Sequence, residues 1–402
     1  MRTTDTGVND ATDCINQAIQ DPGTRCGGGD ATNGSYCQSS TITPALVYIP
    51  SGTYKVTGNL VMWYGTQVVG DAVNPPTIKV DPSFQNDIGL AVFDADIYIP
   101  GGSGSEWYAN QNNFFRQLRN IVIDMTEAPD FAAGIHWQVA QATHLNNIRI
   151  NMKSKSSANN KQQGIYAENG SGGFMSDIFI DGGAIGASLG SQQFTSRNLQ
   201  ISNSGTAIQM IFDWVWLFMD LQITGCDVGI DMTSGGFSNQ AVGSVIVTDS
   251  SISATQGILT PYAPGYSSPQ SAGSLMIENV DFTGSQQAIA AAGGTASRTI
   301  LAGNQKIALW AQGNAWTTAA QSLDGQTLNG TTCSFGNSSQ TSHTAQEITV
   351  QRELAPIERP AVLIDGNGNW YTRSKPQYED VPASSFSSAL AAGLAGDGNT
   401  GK

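Results

Sequence analysis

The sequence predicts an all-β fold: a right-handed parallel β-helix with an N-terminal capping helix and an extended C-terminal connector. Three observations carry that expectation. Short apolar triplets, each closed by a polar residue, recur along the chain: Ile121–Asp124 (IVID), Ile148–Asn151 (IRIN), Ile178–Asp181 (IFID), Leu199–Ser202 (LQIS), Leu221–Thr224 (LQIT), Val245–Thr248 (VIVT) and Leu275–Glu278 (LMIE). Their first residues are spaced by 27, 30, 21, 22, 24 and 30. A second strand follows each triplet and opens on a small residue, at Gly134, Gly164, Gly186, Ala207, Gly229, Gly257 and Ala288. Finally, only 12 % of the residues are charged and 46 of 402 are glycine, against averages of about 25 % and about 7 %.

Alternation with period two turns one residue of each triplet inward and its neighbour outward. A repeat of 21 to 30 residues holding several strands implies a solenoid whose coils stack into parallel sheets. Asn, Gly and Ser between the strands supply the tight bends. An open solenoid end is a template for further strands and needs a cover. Asn9 to Gln20 carries Ala11, Cys14, Ile15, Ala18 and Ile19 on a helical face and is expected to cap the first coil. Pro50 to Val56 reads as a turn and strand entering the first coils. The expected organisation is a β-helix over residues 1–303 and a connector over 304–395 packing on its outside.

Composition narrows the function. With 40 % hydrophobic residues the chain can bury a core. A net charge of −14 without a basic patch disfavours nucleic acid. The longest apolar run, Ile211 to Met219, is short and contains Asp213, so no membrane span is expected. Cys26 and Cys37 flank a Gly- and Asn-rich loop that suits a disulfide in an oxidising compartment, with two free surface thiols as the alternative. Cys226 falls in the strand repeat and reads as a core residue. Asn33, Asn169, Asn329 and Asn337 head glycosylation acceptor triplets. These features fit a secreted protein whose signal peptide is not part of the chain. His136, His144 and His343 show no zinc-ligand spacing with the cysteines, and neither a metal nor a cofactor is expected.

Several long strings resemble glycoside hydrolase family 55. They are Trp107 to Asn120 (WYANQNNFFRQLRN), Gly134 to Asn147 (GIHWQVAQATHLNN), Gly170 to Phe194 (GSGGFMSDIFIDGGAIGASLGSQQF), Phe212 to Trp216 (FDWVW) and Ile364 to Tyr378 (IDGNGNWYTRSKPQY). That family comprises fungal and bacterial β-1,3-glucanases of the pectate-lyase-like superfamily. The resemblance implies two tandem β-helices with the substrate cleft between them, of which this chain holds the first. The superfamily's opening Gly-Asp-Gly signature has a worn copy at Asp5 to Asp13 and a cleaner one at Gly396 to Thr400, which by the resemblance implies the start of a second β-helix at 396–402. It also implies inverting hydrolysis, with the general acid a glutamate of the second helix and a water held by polar side chains of the first. Gln138, Gln141 and Ser176 match the family's first-helix motifs and are the expected water-positioning residues.

Trp137, Trp214 and Trp216, with Gln192, are the expected sugar contacts, since aromatic planes suit the C–H faces of glucose. Trp214 and Trp216 are expected to share a strand face, outward if Val215 points into the core and packed beneath a neighbouring domain if the register is reversed. His136 is read as a hydrogen-bonded coil residue rather than a base, and Asp124 and Asp181 as turn ligands. Asp177 and Glu168 would be the first acids to consider if this chain held its own acid. The partners expected are β-1,3-glucan and the second β-helix. Two alternatives remain. A pectin-active β-helix is opposed by the lack of an Asp-Asp pair or a Gly-His-Gly and by the anionic charge. A non-catalytic carbohydrate-binding fragment stays open.

Overall fold

The computed structural model describes residues 6–20, 45–99, 101–233, 241–261, 273–291 and 298–314. It also describes the short strands Gln326–Leu328, Thr331–Cys333, His343–Gln346, Val362–Ile364 and Trp370–Thr372. Two units are distinguished, residues 1–350 and 351–402; the second contributes one antiparallel pair, Val362–Ile364 with Trp370–Thr372. The expected Cys26–Cys37 pairing, the acceptor sites Asn33, Asn329 and Asn337, most of the 304–395 connector and the Gly396 string lie outside the described residues.

The first unit is a parallel β-helix with a three-sided coil. One sheet stacks Ala133–His136, Gln163–Ala167 and Ile185 to Leu189 on Phe93–Asp94, and continues through Thr206 to Met210. A second stacks Gln117 to Arg119, His144 to Asn146, Phe174 to Ser176 and Thr195 to Arg197, then Leu217 to Met219, Ile246 to Thr248 and Met276 to Glu278. A third stacks Val122 to Asp124, Arg149 to Asn151, Phe179 to Asp181, Gln200 to Ser202 and Gln222 to Thr224.

From Asn120 onward the second and third sheets meet at a single residue per coil, whereas on the two coils before it residues 50–52 and 71–76 make the connection. Asn120, Asn147, Asp177, Asn198, Asp220, Asp249 and Asn279 occupy it, all with φ between 48° and 60°. Asn and Asp tolerate this left-handed conformation better than other non-glycine residues, so the corner is written by residue type. The side chains also bond upward. Asn147 donates to Asn120 Oδ1 at 2.9 Å, Asn198 to Asp177 Oδ1 at 2.7 Å and Asn279 to Asp249 Oδ1 at 2.7 Å.

This column corrects the repeat as read from sequence. The triplets at Ile121, Ile148, Ile178, Leu199 and Leu221 all follow the corner. Val245–Val247 and Leu275–Ile277 precede it: Val245 pairs with Trp216, and Val247 with Phe218. The position equivalent to Leu221 is Ser250, a polar residue whose Oγ accepts from the Leu221 N–H at 3.0 Å, which hid it from a hydrophobic pattern.

The small residue opening each strand of the first sheet has a steric cause. A Cβ on Gly134 would lie 2.7 Å from the Gly164 carbonyl oxygen, one on Gly164 2.5 Å from that of Gly186, and one on Gly186 2.6 Å from that of Ala207. Gly257 faces Ala288 O at 2.6 Å in the same way. Successive coils approach too closely there for larger residues.

Both ends are closed. The helix Thr12–Gln20 buries Ile15 and Ile19, while Cys14 and Ala18, expected on the buried face, are exposed. Its stripe is the narrower i, i+4 row of Ala11, Ile15 and Ile19. Asn16 completes the cap, donating to Asn59 O at 2.8 Å and accepting from Val61 N–H at 3.0 Å, so the strand Leu60–Val61 is not left as an open edge. At the other end parallel stacking gives way to antiparallel strands, Arg298–Ala302 on the first sheet and Lys306–Asn314 across the third and second.

Gly164→Ala is expected to cost about 2 kcal/mol, within the ~1–3 kcal/mol of overpacking, because its Cβ meets backbone that cannot turn away. Gly58→Ala, whose nearest neighbour would be a side-chain carbon at 3.4 Å, should be near neutral. Thermal denaturation of the two variants checks this, and equal losses would contradict it.

Candidate functional site

The turns joining the first sheet to the second gather polar residues along one edge. Each coil contributes a segment directly above its predecessor: Val139 bridges Gly170, the Gln192 N–H donates to Gly170 O at 3.0 Å, and Gln193 stands opposite Val215. Two side chains converge on one carbonyl. Gln141 Nε2 donates to Ser171 O at 2.6 Å and Gln193 Nε2 to the same oxygen at 2.8 Å. Ser191 Oγ accepts from the Gly172 N–H at 3.1 Å. The Gly170–Gly173 run lets these turns close: Gly173 has φ +149°, and a Cβ there would strike the Phe194 ring. Trp214 sits on the same edge, 64 % exposed, between the neighbours of Ser191 and Gln193.

The expected residues therefore separate. Gln141, Gln192 and Trp214 come together on this edge. Trp216 does not share a face with Trp214. The chain bends through Asp213 to Val215, exposing Trp214 and Val215 together, and Trp216 becomes the first inward residue of the second sheet. It is fully buried, stacked on Phe194 at 4.6 Å and donating to Ser196 Oγ at 3.0 Å. Trp137 is also interior, at 1 % exposure. Neither can lay a ring against a sugar from this position. Gln138 is fully buried beneath Asn113, which donates to its backbone carbonyl at 2.7 Å, and neither atom of the Gln138 amide has a partner. Ser176 is nearly buried on the second sheet, its Oγ accepting from Asn146 at 2.7 Å.

Beside the edge lies a network less evident in sequence. His136 is fully buried between two carboxylates, with Nδ1 2.9 Å from Asp94 Oδ1 and Nε2 3.3 Å from Glu168 Oε1. Tyr98 donates to Glu168 Oε1, and Tyr166 to Oε2 at 2.7 Å. The rings stack, His136 lying 5.5 Å from Tyr166 and 6.4 Å from Tyr98. Register builds this, because Asp94, His136 and Tyr166 are equivalent positions of successive coils. Burial alone would lower the His136 pKa, but Asp94 and then Glu168 outweigh it and raise it to about 10. Burial likewise opposes ionisation of Glu168, yet His136, Tyr98 and Tyr166 bring it down to about 2. Glu168 is an anion held by three donors, not an acid ready to give a proton. His136 is the hydrogen-bonded coil residue expected.

Other carboxylates serve the coil. Asp177 accepts from Asn198 and Asn146 as a rung of the corner column. Asp124 caps Thr126 as expected, whereas Asp181 accepts from Ser202 and Asn203 side chains of the next coil rather than from turn backbone. Asp213, pushed up to about 6 by burial against its bonds to Ser244 and Gly243, is 2 % exposed. Burial takes Asp96 to about 8, offset in part by the Tyr108 N–H and Arg116; the Arg116 guanidinium is itself buried between the Tyr64 and Tyr108 rings. Among the described residues no three His, Cys, Asp or Glu side chains form a metal-holding group, and no helix is long and apolar enough to cross a membrane.

Comparison with known proteins adds a family and named relatives. A family model described as rhamnogalacturonase A/epimerase, pectate lyase-like, matches residues 3–231. A protein of Arthroderma benhamiae named a probable glucan endo-1,3-beta-glucosidase is 40 % identical over 466 aligned positions, covering 98 % of this chain and 51 % of that protein. A glucan 1,3-beta-glucosidase of Cochliobolus carbonum is 36 % identical, covering 98 % and 45 %. A non-secreted LysM effector of Penicillium expansum is 39 % identical, covering 98 % and 29 %. The chain thus spans about half the length, or less, of these relatives.

The buried network sets a pH window for stability. Ionised Glu168, at about 2 against 4.5, contributes stability that is complete above pH 4.5 and lost as pH falls through about 2. Protonated His136, at about 10 against 6.5, contributes stability that is complete below pH 6.5 and lost as pH rises through about 10. Both are whole between pH 4.5 and 6.5. Melting temperature should peak there, and Glu168→Gln should lower it and flatten the acid limb. An acid limb unchanged in slope in that variant would contradict the assignment.

Proposed function

The chain belongs to the pectate-lyase-like family of rhamnogalacturonase A/epimerase type, and from that premise we propose that it acts in the hydrolysis of β-1,3-glucan, supplying the sugar-binding and water-positioning part of the cleft. The names of the relatives from Arthroderma and Cochliobolus support the substrate. The observation that carries the reading within this chain is the edge where Gln141 and Gln193 share the Ser171 carbonyl beside exposed Trp214.

Glycoside hydrolysis by inversion needs an acid at the leaving oxygen and a water directed at the anomeric carbon from the opposite face. Each amide gives one N–H to Ser171 O, and Gln141 Oε1 accepts from Ser171 Oγ at 3.5 Å, so a second lone pair of Gln141 Oε1 and the Gln193 amide oxygen remain as acceptors for a water. Two neutral acceptors orient the water and aim its lone pair; the proton it sheds as its oxygen bonds the anomeric carbon passes beyond the amides to a base or to solvent, while the leaving oxygen takes the proton of the acid. Gln193 and Ser171 thus join Gln141 as positioning residues. Ser176 stands farther along the second sheet, and Gln138 lies beneath the surface. Trp214 offers a face to a glucose ring, with Gln192 beside it. No described carboxylate is both exposed on this edge and poised as an acid, which supports an acid contributed by a second β-helix as the partner domain. A secreted, extracellular location follows from glucan as the substrate.

The family description favours a second reading, action on a pectic polymer. A net charge of −14 opposes an anionic substrate and is indifferent to a neutral one. Release of glucose from laminarin, with pectate and rhamnogalacturonan in parallel, separates the two. The chain alone is expected to bind laminarin without turning it over. In the protein that also contains the second β-helix, Gln141→Ala with Gln193→Ala should lower kcat by about 100-fold, the scale of losing transition-state positioning, with KM little changed. Turnover of pectate or rhamnogalacturonan but not laminarin would overturn the glucan assignment.

A further inference from the structure

The third sheet carries a groove of about 320 Å³ on its outer face, apart from the edge that bears Gln141 and Trp214. That edge joins the first and second sheets, so the third occupies another side of the coil. The groove floor is a straight row of equivalent positions: Arg149 pairs with Phe179, Phe179 with Gln200, and Gln200 with Gln222. A second row two residues on places Asp181 and Thr224 along the same groove. Arg149 lies over the Phe179 ring at 5.0 Å. The loop after Asn151 reaches along this side, Lys155 bonding Asp227 Oδ1 at 2.6 Å and Gly225 O at 2.8 Å on higher coils.

Stacked strands repeat every ~4.8 Å, so the groove offers one polar side chain per coil at a constant interval. Its chemistry is one ring, two amides, hydroxyls, and one charge of each sign. A neutral polymer with a regular repeat of hydroxyl groups matches that pattern. A polyanion would meet Asp181 and the net charge of −14, and an apolar chain would leave the Gln222 amide and the Gln200 amide oxygen, whose Nε2 already donates to Asn198 Oδ1 at 3.1 Å, to be desolvated without compensation. We propose that this groove is a second binding site for a linear neutral glycan, distinct from the edge at Trp214. The choice of β-1,3-glucan as first probe rests on the proposed function; the site itself does not.

Calorimetric titration with linear β-1,3-gluco-oligosaccharides, and with β-1,4-gluco- and xylo-oligosaccharides alongside, tests it. Gln200→Ala with Gln222→Ala, both on the sheet surface, removes the groove's amides, and Trp214→Ala removes the ring at the other edge. Two sites per chain are expected, falling to one in either variant and to none in the combination. Trp214 fluorescence should still respond to glycan in the Gln200/Gln222 variant. A single site lost only in Trp214→Ala, or no binding of any of the glycans by the wild-type chain, overturns the groove. A single site lost only in the Gln200/Gln222 variant upholds the groove and removes the sugar-binding role of Trp214.

Discussion

The parallel hydrogen-bond ladder between successive coils is the constraint from which the remaining features follow. It places every residue directly above its equivalent one coil earlier, so a choice made at one position is imposed on a whole column. Where the coils approach most closely, the column is Gly134, Gly164, Gly186, Ala207, Gly229, Gly257 and Ala288. Where the chain must turn through a left-handed conformation, it is Asn or Asp on each successive coil from Asn120 to Asn279. Loss of register by one residue would bring larger side chains such as Ile135 and Ile165 into the first column and Ile121, Ile148 and Ile178 into the second, and neither fits.

The same ladder assembles the chemistry. Residues far apart in sequence become neighbours because they are equivalent. Asp94, His136 and Tyr166 stack on successive coils, and His136 and Tyr166, joined by Tyr98, hold Glu168 as an anion. Ser171, Gln193 and Gln141 meet because their turns lie one above another. A solenoid builds sites along its edges rather than in a closed pocket, which suits an extended polymer. It also accounts for a second, independent row of polar residues on another side of the same coil.

Much of the fold was legible in the sequence because inward positions repeat with apolar residues and close approaches with small ones. The pattern failed where a polar residue took an inward place, as at Ser250, and the last two triplets were then matched to the wrong side of the corner. The site was legible only in part. Alternation assumes a straight strand, so it put Trp214 and Trp216 on one face, whereas a bend between them sends one out and the other into the core. The segment containing Asn113 packs over Gln138, and no local pattern discloses that packing. Gln193 and Tyr98 carried no signal of their own; their roles come from what the register and an intervening loop place beside them.

The central claim is that the edge formed by Gln141, Ser171, Gln193 and Trp214 is where this chain meets β-1,3-glucan. Hydrogen–deuterium exchange with and without a linear β-1,3-gluco-oligosaccharide tests it most directly. The account predicts protection of backbone amides in the turns at residues 138–143, 169–173, 190–194 and 212–216. Glycan binding that leaves all four turns unprotected would contradict it.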